Sequence, residues 1–313
     1  MSEKPILSIV IPLYSEEDGL RETLLTIRKN IETLNLPYEL ILIDDGSLDN
    51  TWNIIASESQ ETTIIHAIRF SRNFGKENAL CAGLEAARGN AIIVMDGDLQ
   101  HPPELIPDMV KIWRETHADI VETVKMGHER TTPIRKIGAK LFYLLLRELS
   151  GYDLAGLSDY KLLDRKVVDA WLQLEEHETF FRGMVAWLGF KRVRLEFTVP
   201  KRLRGESKWS FYTLVKLSLN AIVSFSARPL YLFSLFGSLF FIFAFALLCR
   251  VLYQYLNGSA VSGFTTVIIL ELILGGMIMF GFGLLGIYIA KTFDEVKKRP
   301  RYIISERIGE NTH

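Results

Sequence analysis

Asp96 and Asp98 stand one residue apart in the stretch 92–104, which reads I-I-V-M-D-G-D-L-Q-H-P-P-E. Two carboxylates so spaced, with the amide oxygen of Gln100 beside them, form an all-oxygen set. Such a set suits Mg²⁺ or Mn²⁺, ions that commonly also hold substrate phosphates. An apolar run, Ala91 to Met95, precedes the acids and is short enough for a buried strand. Pro102 and Pro103 come next and suit the first turn of a helix, where a missing N–H costs nothing. Leu105, Ile106, Met109, Val110 and Trp113 then recur at helical spacing. The acids therefore sit at the carboxyl end of a strand, where open α/β sheets bind ligands. Asp and Gly are also ordinary turn residues, so the same stretch read by itself equally suits a solvated turn.

The elements that must hold this turn are legible on either side of it. Ile6 to Pro12 reads as a buried strand, and Leu20, Leu24, Ile27, Ile31 and Leu34 line a helical face after it. Glu39 to Ile43 is a second strand, ending at Asp44-Asp45-Gly46-Ser47, and Ile64 to Ile68 is a third. Phe70-Ser-Arg72-Asn73-Phe-Gly75-Lys76 then opens a helix with Ala79, Leu80, Gly83, Leu84 and Ala87 on one side. Alternating strands and helices predict an α/β fold with a mostly parallel sheet covered on both faces. Three polar strand ends in succession point to one ligand crevice.

The chain has 313 residues and a formal net charge of -1. That length accommodates one large domain with an appendage, or two domains. Cys81 and Cys249 stand far apart, which excludes a disulfide framework or a zinc spacing and fits a reducing compartment. The N-terminal residues carry no signal-peptide apolar region. Between Lys191 and Lys216 eight basic residues face only Glu196 and Glu206. A basic run is the footprint of nucleic-acid binding, but two long apolar runs beyond it turn the expectation toward a membrane. Leu230 to Cys249 is uncharged and Phe264 to Ala290 is interrupted only by Glu271; about 20 apolar residues suffice to cross a bilayer. Arg228 precedes the pair, and Lys291, Lys297, Lys298, Arg299 and Arg301 come after it. The positive-inside rule then puts both ends of the hairpin in the cytoplasm, with the basic stretch facing an anionic leaflet. Lys216, Asn220, Ser224 and Arg228 oppose Leu214, Leu217, Ala221 and Phe225 at helical spacing, as in a helix lying in the membrane interface. Gly281-Phe-Gly283-Leu-Leu-Gly286 matches a dinucleotide fingerprint but lies within the second apolar run, where small residues instead let helices approach closely. A lone His101 beside a helix start is expected to be structural. The expected division is a catalytic domain over 1–207, an interfacial helix over 208–228, a transmembrane hairpin over 229–291 and a cytosolic tail over 292–313.

Taken in order, several segments resemble a membrane-anchored family 2 glycosyltransferase of the GT-A fold. They are Ile9-Val-Ile-Pro12-Leu-Tyr14, Asp44-Asp45-Gly46-Ser47, Phe70 to Lys76, Met95 to Glu104, Phe180-Phe-Arg182-Gly183 and Gly205-Glu-Ser207-Lys208. The chain is most similar in pattern to polyprenyl-phosphate hexose synthases, among them bactoprenol glucosyl transferases and dolichyl-phosphate mannose synthases. The resemblance implies that Pro12, Tyr14, Glu16, Leu42 and Asp44 hold the nucleotide base and ribose, with Asp45, Lys76 and Asp96 also on the donor side. It implies that Asp96, Asp98 and Gln100 hold Mg²⁺ or Mn²⁺ on the donor diphosphate. Arg135, Arg202, Ser207 and Lys208 would meet phosphates, those of the lipid acceptor included. Asp159 stands where the family has an acid near the reaction centre. Ser15, Ser158, Tyr160 and Lys161 replace the family's usual Asn, Gly, Phe and Arg.

The implied reaction moves a hexose from UDP-glucose or a related nucleotide sugar to polyprenyl (undecaprenyl) phosphate. A lipid phosphate is already anionic, so no strong general base is needed. The task is to let two anions approach, which preplaced cations accomplish. Asp159 is accordingly expected to position rather than to move a proton. Attack from one face inverts the anomeric carbon. A processive polysaccharide synthase is the nearest rival, but its Gln-x-x-Arg-Trp motif does not occur here. A non-catalytic scaffold is the other, and intact Asp96, Asp98 and Gln100 argue against it. A multi-pass protein of the cell membrane is expected, as a homo-oligomer and with no nucleic-acid partner. Arg250 and Glu271 lie at similar depth in the hairpin and are expected to pair, within one chain or between two.

Overall fold

The computed structural model describes residues 5–126, 157–177, 179–198, 228–257 and 263–309. Arg135, Arg202, Ser207 and Lys208 lie outside them, as does the amphipathic stretch from 208 up to 227. The chain divides into two units: Met1–Trp209 with Arg299–His313, and Ser210–Lys298.

The first unit is built on an eight-stranded sheet in the order β7-β5-β6-β4-β1-β2-β3-β8. Its first half alternates as the apolar periodicity predicts. The elements are β1 (Leu7–Leu13), α1 (Leu20–Glu32), β2 (Tyr38–Asp44), α2 (Thr51–Glu61), β3 (Ile65–Phe70), α3 (Lys76–Ala86), β4 (Ala91–Val94) and α4 (Ile106–Thr116). Strands β1, β2 and β4 are mostly apolar because both faces are covered, with Ser8, Glu39 and Asp44 as their buried polar residues. β1 pairs in parallel with both β2 and β4. The chain runs outward from β1 through β2 to β3 and then crosses back to β4, so a topological switch lies between β1 and β4. Helix α3 makes that return close against β1: a Cβ at Gly83 would strike the Val10 side chain.

The second half is mixed rather than parallel. β5 (Ile120–Met126), β6 (Leu157–Asp164) and β7 (Arg192–Thr198) extend the sheet past β4, with α5 (Arg165–Trp171) and α6 (Phe181–Trp187) between them in sequence. β6 runs antiparallel to β4 and to β5, whereas β7 is parallel to β5. The far edge holds a strand not expected from the charged tail. β8 (Ile304–Ile308) pairs antiparallel with β3, so a segment after the second apolar run joins the main sheet. β8 covers the N–H and C=O groups that β3 would otherwise present as a bare edge.

The second unit contains α7 (Arg228–Leu256) and α8 (Phe264–Val296). Each carries a segment long and apolar enough to cross a membrane, Phe233–Gln254 with 22 residues and Leu270–Val296 with 27. Gly281 lies directly against the Phe233 ring, where a Cβ would collide, and Phe233 meets Phe280 at 5.9 Å between centroids. The glycine of the apparent dinucleotide motif thus serves helix packing. Arg250 and Glu271 are exposed, and among the described residues neither makes an ion pair, so the expected pair is not formed within the chain. Equal rise sets equal depth, but rotation about each helix axis decides which way a side chain faces.

Candidate active site

Three loops meet at the switch between β1 and β4. After β1, Ser15 adopts a left-handed φ of 55°. Its N–H donates to Ser47 Oγ at 2.9 Å, and the Glu16 N–H donates to Thr51 Oγ1 at 2.9 Å. The loop after β1 is thereby tied to the loop after β2. Tyr14 is left exposed beside them.

Asp44 and Asp45, adjacent in sequence, do different things. Asp44 is fully buried, and its Oδ1 accepts from the Ser47 N–H at 3.0 Å. Its Oδ2 has no hydrogen-bond partner, though Arg69 Nε lies 3.3 Å away. Burial raises its carboxyl above the ordinary range, against the Ser47 hydrogen bonds and the Arg69 charge. Asp45 accepts from the N–H groups of Phe74 at 2.6 Å and Gly75 at 2.9 Å, so it fixes the loop leading into α3. Gly46, at φ +68°, lets the two loops touch, since a Cβ there would meet the Arg72 backbone. Leu42 does not reach the crevice: it is wholly within the hydrophobic core beneath Asp44, and its side chain offers no surface to a ligand.

The loop after β4 carries the acid pair. Asp98 is exposed, and its two oxygens accept from the Gln100 N–H at 3.1 Å and Gln100 Nε2 at 2.6 Å. It is thus the amide nitrogen of Gln100 that meets the acid. Leu99 closes this turn at a left-handed φ of 56°. Asp96 is half-buried, and its N–H donates to His101 Nδ1 at 2.9 Å. That bond makes Nδ1 an acceptor and puts the ring proton on Nε2, which lies 2.8 Å from Ser158 Oγ. His101 is buried and stacks on Tyr160 at 5.0 Å, so it is structural, as expected. Gly97 O accepts from Thr23 Oγ1 at 3.2 Å, which anchors the turn to α1.

Beside Asp96 lies a four-charge cluster. Lys76 Nζ is 2.6 Å from Asp96 Oδ1 and 2.9 Å from Asp159 Oδ2. Arg182 grips Asp159 with two nitrogens, Nε at 2.5 Å and Nη2 at 2.9 Å. Burial opposes ionisation of Asp159, but the Arg182 hydrogen bond and the two cations overcome it and hold the carboxyl well below its usual range. Lys76 is likewise held charged, burial being outweighed by Asp96 and Asp159. Below them Glu77 accepts from the Phe181 N–H at 2.7 Å and ties α3 to α6.

The acid turn fits a divalent cation. Glu16 is pushed up to about 7 by burial first and then by the charges of Asp98 and Asp96, so the turn already carries unrelieved negative charge. A cation there would relieve that repulsion. Among the described residues no three His, Cys, Asp or Glu side chains converge as a ready-made metal cage. Two carboxylates completed by substrate phosphates and water are the usual arrangement for magnesium.

The structure thus brings together Pro12, Tyr14, Glu16, Asp44, Asp45, Lys76, Asp96, Asp98, Gln100 and Asp159 around the carboxyl ends of β1, β2 and β4 and the adjoining part of β6. Arg182 received no role from the sequence, although it stands in a quoted motif. Arg69, on a strand among apolar residues, carried no signal at all.

Comparison with known proteins places the chain in a family. The family model described as glycosyl transferase family 2 matches residues 8–170. The protein named uncharacterized glycosyltransferase YkcC of Bacillus subtilis (strain 168) is 37% identical over 311 residues, covering 99% of this chain and 96% of its own length. The prophage bactoprenol glucosyl transferase homolog of Escherichia coli (strain K12) is 34% identical over 304 residues, with 95% and 98% covered. Among solved structures, mannosyl-3-phosphoglycerate synthase from Rubrobacter xylanophilus aligns with a TM-score of 0.49 at 18% identity, covering 72% of this chain and 74% of that one. With a mixed GT-A-type sheet, an acid turn at its switch point and these relatives, the chain belongs to glycosyl transferase family 2.

Proposed function

We propose that this protein transfers a hexose from a nucleoside-diphosphate sugar to a polyprenyl phosphate at the membrane, with inversion at the anomeric carbon. The observation that carries the proposal is the Asp96–Asp98 turn at the β1/β4 switch with Lys76, Asp159 and Arg182 beside it. Tyr14 offers an exposed ring to the nucleotide base, and Asp44 holds a buried carboxylate oxygen that lacks a hydrogen bond and could take a base N–H. Asp96 and Asp98, with Gln100, would hold Mg²⁺ or Mn²⁺. Bound there with the diphosphate, the ion would stabilise charge on the departing phosphate without proton transfer.

Lys76 and Arg182 are the described cations that would meet the reacting anions. Asp159 holds both in place and remains ionised, and so strongly acidic a carboxyl makes a poor general base. A lipid phosphate needs none. Arg135, Arg202, Ser207 and Lys208 would supply further phosphate contacts.

The α7–α8 hairpin would anchor the enzyme in the cell membrane. β8 belongs to the same sheet as β1 to β7, so the chain that leaves after Thr198 must return to the same side. Two crossings satisfy this and an odd number does not. With the basic residues flanking the hairpin, both termini fall in the cytoplasm. The bactoprenol named in several relatives supports a polyprenyl acceptor, and their glucosyl transfer supports UDP-glucose as the first donor to test. The test is mass-spectrometric detection of glycosyl-phospholipid from a panel of UDP- and GDP-sugars, with undecaprenyl phosphate present or omitted. Product is expected from one nucleotide class and only with the lipid phosphate. Sugar transfer that ignores the lipid would overturn the proposal.

A further inference from the structure

Strand β8, which the sequence did not foreshadow, ends next to the donor side of the site. In the β3–β8 ladder Arg69 stands directly opposite Glu306. Glu306 Oε1 accepts from Arg69 Nη1 at 2.9 Å, and its Oε2 accepts from Trp52 Nε1 at 3.0 Å. Trp52 is a buried residue of α2, and the Arg69 guanidinium lies over its ring at 5.7 Å from the centroid. The other edge of the same guanidinium faces Asp44: Nε is 3.3 Å from Asp44 Oδ2, and Nη2 donates to Ser47 O at 3.4 Å. Asp44 Oδ2 is buried and lacks a hydrogen bond, so within the field of Arg69 it is left as an unsatisfied acceptor, with capacity for one donor more.

We infer that Glu306 is a positioning residue for nucleotide binding, acting through Arg69 on Asp44. By holding Nη1 on the opposite edge, Glu306 fixes the guanidinium and keeps it from turning Nε and Nη2 onto Asp44 as a bidentate pair. Such a pair would be strong and would consume the acceptor oxygen that a nucleobase N–H needs. Arg69 nevertheless stays near enough to favour the ionised carboxylate, the better acceptor. The strand carrying Glu306 is itself fixed on both sides. Ser71 N–H donates to Ile303 O at 2.9 Å, His66 Nδ1 lies 2.7 Å from Gly309 O, and Tyr302 stacks on Phe70 at 4.7 Å. The segment after the second apolar helix therefore completes the donor pocket of a domain whose other residues precede the first. The inference rests on the donor-site reading above.

The experiment is calorimetric titration of the full-length protein with UDP and, separately, GDP, each with Mg²⁺. Wild type, Glu306→Ala, Glu306→Gln, Asp44→Asn and the Glu306→Ala/Asp44→Asn double variant are compared. Glu306→Ala is expected to weaken nucleotide binding roughly tenfold, as for loss of a charged hydrogen bond that orients the site. The turnover number at saturating donor should stay within about twofold, because the reacting groups are untouched. Glu306→Gln, which keeps an acceptor for Arg69, should recover part of the affinity. In the double variant the loss should be no greater than in Asp44→Asn alone, since both act on one oxygen. Linkage requires the converse, so bound nucleotide should slow amide exchange across residues 304–308 in the wild type. That readout does not depend on any variant folding. Unchanged affinity in Glu306→Ala, additive losses in the double variant, or exchange in 304–308 indifferent to nucleotide would each overturn the inference. Failure of the wild type to bind either nucleotide would overturn the donor-site reading itself.

Discussion

Asp159 is the residue on which two long-range cations converge, and its chemistry is set by them. Lys76 reaches it across 83 positions of sequence, and Arg182 grips it from α6. Asp159→Asn leaves both cations without their shared partner. Turnover should fall roughly 100-fold, the scale seen when one preorganised electrostatic group is lost, while nucleoside diphosphate affinity changes less than about threefold. Equal losses in both measurements would place Asp159 on the donor instead. Glu77 allows a pH test beneath the same cluster. Burial, only partly offset by the Phe181 hydrogen bond, pushes it up to about 7 from an ordinary 4.5. A raised carboxyl binds its proton more tightly in the folded chain. Its contribution to stability is therefore full below about pH 4.5 and lost as pH rises to about 7. Glu77→Gln should raise the melting temperature at pH 8 and leave it unchanged near pH 4.5, read by thermal scanning in detergent. At this scale the sequence was legible where chemistry is local. Asp98 and Gln100 are two apart and form their own turn. Arg182 and Arg69 were not, because their partners come from other elements. Leu42, expected at the nucleotide, shows the converse: the middle of a doubly covered strand belongs to the core.

Among the elements, the β1–β4 half was readable because it is buried, and short strands dominated by apolar residues leave few alternatives. Its strand ends moved by no more than two residues from expectation, as hydrogen-bond geometry rather than side-chain type sets the last pair. The mixed half was less readable. β5 and β6 carry buried charges, Glu122 and Lys161, which meet at 3.3 Å, and β7 alternates with exposed charges, so the apolar pattern is broken. β8 was hidden because five residues, I-S-E-R-I, form an edge strand only when β3 is present to pair with them. Helix α3 offers a direct packing test. Gly83→Ala puts a methyl group into the Val10 side chain and should cost about 1–3 kcal/mol, the range for overpacking. Val10→Ala in the same chain should restore part of the lost melting temperature. If Gly83→Ala alone melts like wild type, α3 does not depend on that close approach.

For the whole molecule, the two apolar helices and the returning β8 strand impose a parity. The Met1–Trp209 unit includes Arg299–His313, so its parts must share one side of any membrane that α7 and α8 cross. A protease-cleavable tag placed after residue 313 should resist digestion in intact protoplasts and be removed once they are opened. Digestion from outside would break either the two-crossing topology or the β3–β8 pairing. The hairpin itself was visible in the sequence through length and lack of charge. Its internal contacts were not: Gly281 against Phe233 depends on helix rotation, as does the separation of Arg250 from Glu271.

The central claim is that sugar transfer occurs at the Asp96–Asp98 turn with a divalent cation. It is tested most directly by rates of glycosyl-phospholipid formation for wild type and Asp98→Ala, with saturating nucleotide sugar and undecaprenyl phosphate. Each is measured with Mg²⁺ or Mn²⁺ and again with EDTA. Asp98 lies on the surface of the crevice and supports no core packing, so the variant should fold and melt as wild type does. Product should form only with wild type and metal, and the variant should lose activity at least about 1,000-fold, several kcal/mol of lost stabilisation. Turnover by Asp98→Ala near the wild-type rate, or a wild-type rate indifferent to EDTA, would contradict the claim.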